Sequence, residues 1–396
     1  MKIFFKIAGV VIVFLVIVVL CLMNYNYLRS LFVSDTALKY QVEIIDDYDS
    51  ADIRRYKRSD FDVKKKDLLL SSLIDNWEVI KLDNDNDNAL IGNNLRAKVS
   101  DSYILVYSIN ECECKLFDRK TGTFLRHIGA EGQGPGEYAF LYEYAIDEKN
   151  NCIYLKDGMS SSLLEYNLNG KFVQKIKVLE SNRKFRFVVK GDTITSFIMS
   201  FVGDSIGVQT SDKQGNVLST APARVFVTPD FSWEVFIENN GVTPIGYYHV
   251  ASPVYYTYDT KQHQLVPMFA FDKESFDYVS VVDLPNCYLF GFNKLQGEGM
   301  NAKFRIYEYA QVLKSNGKIT KVNLLNDFLG GIPFLPDCFN NGYYLQVIKT
   351  YLLREQLKKV LDEKKLDTQL SNYLQELYDS ISDEDNDVVL CGKLKV

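Results

Sequence analysis

LFDRKTGTFLRHIGAEGQGPGEY, residues 116–138, is the stretch whose reading decides the fold. It reads as strand, tight turn, strand and glycine-rich connection. In the turn, Asp118 can bond backbone two residues on, and Gly122 supplies the positive φ that a hairpin needs. Beyond the turn, Phe124, Arg126 and Ile128 alternate with Leu125 and His127 across the two faces of a strand. Four glycines and a proline between Gly129 and Gly136 rule out a helix or a central strand there. A phosphate-binding loop is the sharp alternative, but no Lys-Ser/Thr follows and no long amphipathic helix begins after it.

The first half of this stretch recurs. LLEYNLNGKFVQKI turns at Gly170, VQTSDKQGNVLST at Gly215 and YEYAQVLKSNGKITKV at Gly317, while TYDTKQHQLVPMF holds the place with Asp259. The first three glycines (122, 170, 215) are 48 and 45 residues apart. Each unit follows another short period-two segment: Tyr103–Tyr107, Cys152–Leu155, Thr193–Ile198, Val254–Tyr256 and Tyr288–Phe292. A period of about 45–50 residues carrying several strands marks propeller blades. A ring of blades leaves only short, protected edges. Asn341–Lys349 and Val388–Lys395 supply strands of a sixth blade, and Val79–Leu82 is the candidate to complete it. The expected class is therefore all-β, a six-bladed β-propeller over residues 68–396. The 26 Tyr and 25 Phe against 2 Trp, in a chain 47% hydrophobic, suit strands.

Tyr351–Ile381 interrupts the strands. Leu353, Leu357, Val360, Leu361, Leu366, Leu370, Tyr373, Leu374, Leu377 and Tyr378 follow helical spacing in two pieces hinged near Lys364–Asp367. This predicts a helical insertion within the last blade. A cover over one propeller face is favoured over a docking site for a partner helix.

At the other end, Lys2 and Lys6 flank an uncharged apolar run from Ile7 to Met23. Residues 1–23 are therefore expected to be a signal anchor or transmembrane helix. Cys21 sits where a lipoprotein signal has its cysteine, but Leu20 fills the place of the expected small residue. An uncleaved anchor is favoured over a cleaved or lipidated signal. Residues 24–67 read as a polar periplasmic tether, with Tyr40–Ile45 as a possible strand. The net charge of −6 gives no basic footprint for nucleic acid.

Several residues carry candidate chemistry. Asp83-Asn84-Asp85-Asn86-Asp87-Asn88 opens like a calcium loop, making Asp83, Asp85 and Asp87 the candidate metal ligands. Asn88 then replaces the turn glycine, and Asn94 replaces the bidentate glutamate, so a solvated turn is favoured. Gln133, Glu137 and Tyr138 are polar groups on the glycine loop and are the candidate ligand-binding residues, against a loop that only stitches blades. Cys112 and Cys114 share one strand face; small buried hydrophobes are favoured over a disulfide or metal pair. No G-x-S-x-G elbow is present, and the three histidines are scattered, which gives nucleophilic catalysis little support.

IGAEGQGPGEY after a strand-turn-strand, followed by NNCIYLKD and LLEYNLNGKFVQKI, resembles the six-bladed β-propeller proteins of Bacteroidota, distantly similar to NHL and TolB-like propellers. The resemblance also takes in Leu68–Leu82, Leu90-Ile91-Gly92 and the terminal strand Asp385–Lys395. It implies a cell-envelope protein, anchored in the inner membrane and facing the periplasm, or a lipoprotein if Cys21 is processed. It carries no common activity. The expected function is a binding or scaffolding module for a peptide, a glycan or another envelope protein, held to the membrane by its N-terminal helix. The alternative is a hydrolase or lyase with a carboxylate or metal site in the channel.

Overall fold

The computed structural model describes residues 42–44 and 52–396, apart from 159, 202, 228–233, 250–251, 277, 297–302 and 364. Six antiparallel sheets, each with four principal strands, form the blades of a propeller. The strand nearest the axis in blades 1 to 6 is, in turn, Leu95–Val99, Leu141–Asp147, Phe185–Lys190, Val235–Glu238, Tyr278–Asp283 and Phe339–Asn340. The outer strands of blades 1 to 5 are Phe124–His127, Phe172–Lys177, Val217–Pro222, Gln264–Phe271 and Ile319–Asn326.

Blade 6 closes the ring with a strand from the other end of the chain. Its outer strand is Ile74–Lys81, paired antiparallel with Val388–Leu394 so that Val79 faces Leu390 and Ile80 faces Val389. The Arg119 guanidinium from blade 1 donates to Glu78 at 2.8 Å and lies 4.2 Å from the Tyr343 ring centroid, tying the closing strand to the next blade.

A four-stranded sheet cannot bury both faces alone. Here each blade buries its faces against its neighbours, and six apolar clusters fill the six gaps around the ring. Between blades 1 and 2, for example, Leu105, Tyr107 and Leu116 meet Tyr144, Ile153 and Leu155. The recurring turn glycine has a matching cause. Gly122 has φ +73°, and a Cβ there would collide with the carbonyl of Lys81 at the end of the closing strand. Gly215, with φ +87°, stands in the same relation to Lys177 at the end of blade 2. Left-handed backbone and close approach to the preceding blade both exclude a side chain at these turns.

The stretch expected to be a tether differs in its last part. Arg54–Tyr56 runs parallel to the outer strand of blade 4, and Lys65–Leu69 runs parallel to that of blade 5. Tyr56 and Phe61 are buried among Phe269, Phe290 and Phe292, so residues 54–69 belong to the propeller body. Strands of three and five residues among charges carry too little periodicity to be seen in sequence. Val42–Ile44 is also a strand, paired with Val225–Val227.

The helical insertion is α1 (Thr350–Glu363) and α2 (Thr368–Asp379), between the second and third strands of blade 6. The Asp367 carboxylate caps α2 by accepting from the Leu370 N–H at 2.9 Å. Leu353, Leu357 and Val360 of α1 and Leu374 and Leu377 of α2 pack on Leu329, Ile332, Ile348 and Leu390, covering the junction of blades 5 and 6. No helix among the described residues is long and apolar enough to cross a membrane. The apolar segment 1–23, including Cys21, lies outside the described residues.

Candidate functional site

The inner strands of blades 1 to 4 and 6 line a cavity of about 490 Å³. Alternation along each inner strand sends some side chains between blades and the others toward the axis. Charged groups on its walls include Lys98 of blade 1, Glu143 of blade 2, Arg186 of blade 3, Glu238 of blade 4 and Asp337 ahead of blade 6. Amides of Asn239, Asn340 and Gln346 add donors and acceptors.

Three of these charges form a relay across consecutive blades. Glu143 accepts from Arg186 Nη1 at 2.7 Å and lies 3.6 Å from Lys98 Nζ. Arg186 Nε donates to the Val235 carbonyl at 2.9 Å, carrying the tie to blade 4. Burial by itself would raise the Glu143 carboxyl, but Lys98 and Arg186 outweigh it and hold the group down at about 2. A second tie lies alongside. Glu234 takes Lys184 Nζ at 2.6 Å and the Tyr142 hydroxyl, so blades 2 and 3 are also bound to the entry of blade 4.

The wall at Glu238 is different. Burial, then the nearby Asp283 and Asp337 carboxylates, push Glu238 up to about 8. Asp283 itself is also raised by burial, an effect opposed by Lys314 Nζ at 2.5 Å and the Tyr255 hydroxyl at 3.1 Å. One cavity thus holds a carboxylate that is ionised at neutral pH and a carboxyl poised to carry a proton there. Such an opposed pair can hydrogen-bond a ligand from both sides, one as acceptor and the other as donor.

The residues expected from sequence to bind ligand are not on these walls. Gln133 and Glu137 are exposed on the connection from blade 1 to blade 2, where Glu137 accepts from the Gly134 N–H at 2.7 Å. Tyr138 is 1% exposed, lies in the core between those blades and donates to the Cys112 carbonyl at 3.1 Å. The loop runs between the two blades, and its aromatic residue is part of the packing. Asp83, Asp85 and Asp87 do not converge either. Asp83 accepts from the Asp85 N–H at 2.9 Å and the Phe124 N–H at 3.2 Å, while Asp87 opens a short 3₁₀ turn. Among the described residues no group of three or more His, Cys, Asp or Glu is placed to hold a metal ion. Cys112, Cys114, Cys152, Cys287, Cys338 and Cys391 are unpaired thiols.

Sequence reading missed Lys98, Glu143, Arg186, Glu238 and Asp337 because they share no motif and come from different blades. The one local signal is a charge inside an otherwise apolar strand, as in LYEYAID around Glu143 and FRFVVK around Arg186.

Among solved structures, a candidate exported protein of Bacteroides fragilis superposes with TM-score 0.58 at 16% identity, over 87% of this chain and 100% of that one. A member of the DUF4221 family from Bacteroides vulgatus covers 82% of this chain and 98% of its own, with TM-score 0.44 and 10% identity. No curated protein matches the chain. The family described as a domain of unknown function, DUF4934, matches residues 58–393, so nearly the whole propeller, closing strand included, is one family unit: the chain belongs to the DUF4934 family.

Proposed function

We propose that this protein is an exported binding module of the cell envelope whose central cavity takes a polar ligand, a short peptide or a glycan segment. The observation that carries this is the cavity of about 490 Å³, walled by charges of both signs and by amides, with Glu143 and Arg186 fixed by ties between blades. Ligand sites commonly have this size and combine a fixed frame with a few placed polar groups. Export is supported by Lys2 and Lys6 before the apolar run 7–23 and by the likeness to a candidate exported protein. Kinship with NHL and TolB-like propellers and inner-membrane anchoring belong to the same reading. Alkaline carbonate extraction of membranes tests the anchor; recovery of the protein in the soluble fraction rejects it.

Calorimetric screening of peptides and glycans against the full-length protein and an Asn239→Trp variant tests the cavity. Binding that the bulky side chain abolishes supports the reading. Binding undiminished by it rejects the cavity as the site.

A hydrolase or lyase is the second reading, favoured by the opposed protonation of Glu143 and Glu238. It requires that a bound ligand be converted and that Glu238→Gln bind but not turn it over.

A further inference from the structure

We infer that the projecting hairpin of blade 5 is a strand-addition site for an extended acidic segment of a partner protein. This stands apart from the cavity and does not depend on it. The hairpin is formed by Cys287–Gln296 and Lys303–Leu313. Their pairing runs the full length, from Cys287 opposite Leu313 to Gln296 opposite Lys303. The outer strand of the blade covers only part of it: Tyr309–Val312 pair with Ile319–Val322, and no described residue pairs with the outer edge of 303–306.

That edge therefore presents backbone donors and acceptors in strand geometry that no described residue takes up. Sheet edges in this state are templates for a further strand. The side chains state what the added strand must carry. Arg305 lies directly opposite Lys294, two like charges facing across a ladder, and neither has an acidic partner among the described residues. Like charges so placed weaken pairing, and an acidic residue on the next strand would relieve them. Among the described residues of the hairpin the acid Glu308 is already taken, by Arg58 at 3.0 Å and Lys321 at 3.3 Å. On the other face of the strand, Phe304 is 43% and Ile306 41% exposed. Phe304 touches the Tyr278 ring, with centroids 5.3 Å apart, and leaves its outer side open.

The fitting segment alternates apolar and acidic residues, with the acid facing Arg305 and Lys294. A second copy of this chain fits poorly, because its own edge, Lys303-Phe304-Arg305-Ile306, brings further cations and no acid.

The test uses two synthetic peptides, acetyl-TVEVEVT-amide and acetyl-TVKVKVT-amide, titrated against the full-length protein in detergent at low and high salt. The acidic peptide should bind roughly tenfold more tightly, since its glutamates pair with Arg305 and Lys294 where the lysines of the other peptide are repelled. Its advantage should shrink at high salt. Arg305→Glu should abolish the preference and leave the melting temperature equal or slightly higher, because the new carboxylate faces Lys294 in place of a like charge. Equal binding of both peptides, binding of neither, or no response to Arg305→Glu overturns the inference. A dimer in sedimentation that Arg305→Glu disperses also overturns it, by assigning the edge to self-association.

Discussion

Replacing Glu143 by Gln gives the sharpest test of the cavity's electrostatics. The carboxyl sits at about 2 in the folded protein, against an ordinary glutamate value of about 4.5. Because the folded value is depressed, its stabilisation is fully present above pH 4.5 and is lost as pH falls toward 2. A difference of roughly 2.5 units at about 1.4 kcal/mol each makes the pH-dependent part roughly 3 kcal/mol at pH 7. This agrees with the loss of about 3–5 kcal/mol that generally follows removal of one member of a buried pair. Lys98 and Arg186 share this, Lys98 through its charge at 3.6 Å and Arg186 through its charge and a hydrogen bond at 2.7 Å. Urea denaturation of wild type and Glu143→Gln at pH 7 and pH 3 reads the difference directly. The gap should fall from about 3 kcal/mol at pH 7 to about 1 kcal/mol at pH 3. A gap that stays constant between the two pH values, or a variant as stable as wild type at pH 7, would refute the assignment of Glu143 as the ionised hub of the relay.

Lys156 is fully buried, with carbonyls of Asp157 and Gly158 as its hydrogen-bond partners, and burial lowers it to about 7. The unfolded lysine binds its proton more tightly than the folded one, so stability should rise with pH between 7 and 10.5. Lys156→Met should remove that rise, as read by the difference between the two proteins in chemical denaturation at pH 7 and pH 10. Ile80→Pro should cost roughly 1–3 kcal/mol and lower the melting temperature, because Ile80, two residues before the Leu82 N–H that donates to the Asp387 carbonyl, turns its own N–H into the ladder that closes the ring. Gly122→Ala should cost more than Gly317→Ala, by roughly 1–3 kcal/mol, because a Cβ at Gly122 meets the Lys81 carbonyl whereas one at Gly317 meets nothing within 4 Å. Equal melting temperatures for the two alanine variants would refute the account of the repeat glycine.

The alternating strands, the glycine-marked turns at 122, 170 and 215 and the helical spacing between Leu353 and Tyr378 were legible because each is a local periodicity, set by side-chain direction and backbone freedom within a few residues. Pairing of the strand around Val79 with the terminal strand could be anticipated because a blade left one strand short has an open edge. The cavity was not legible. Lys98, Glu143, Arg186 and Glu238 stand on four different blades, and only ring closure makes them neighbours. Nor could the attachment of residues 54–69 be read, since its anchors, Tyr56 and Phe61, gain their burial from aromatic rings more than 200 positions away in the chain. Local chemistry determined what each blade is. Packing between blades decided which charges line one cavity, and so which of them can act together.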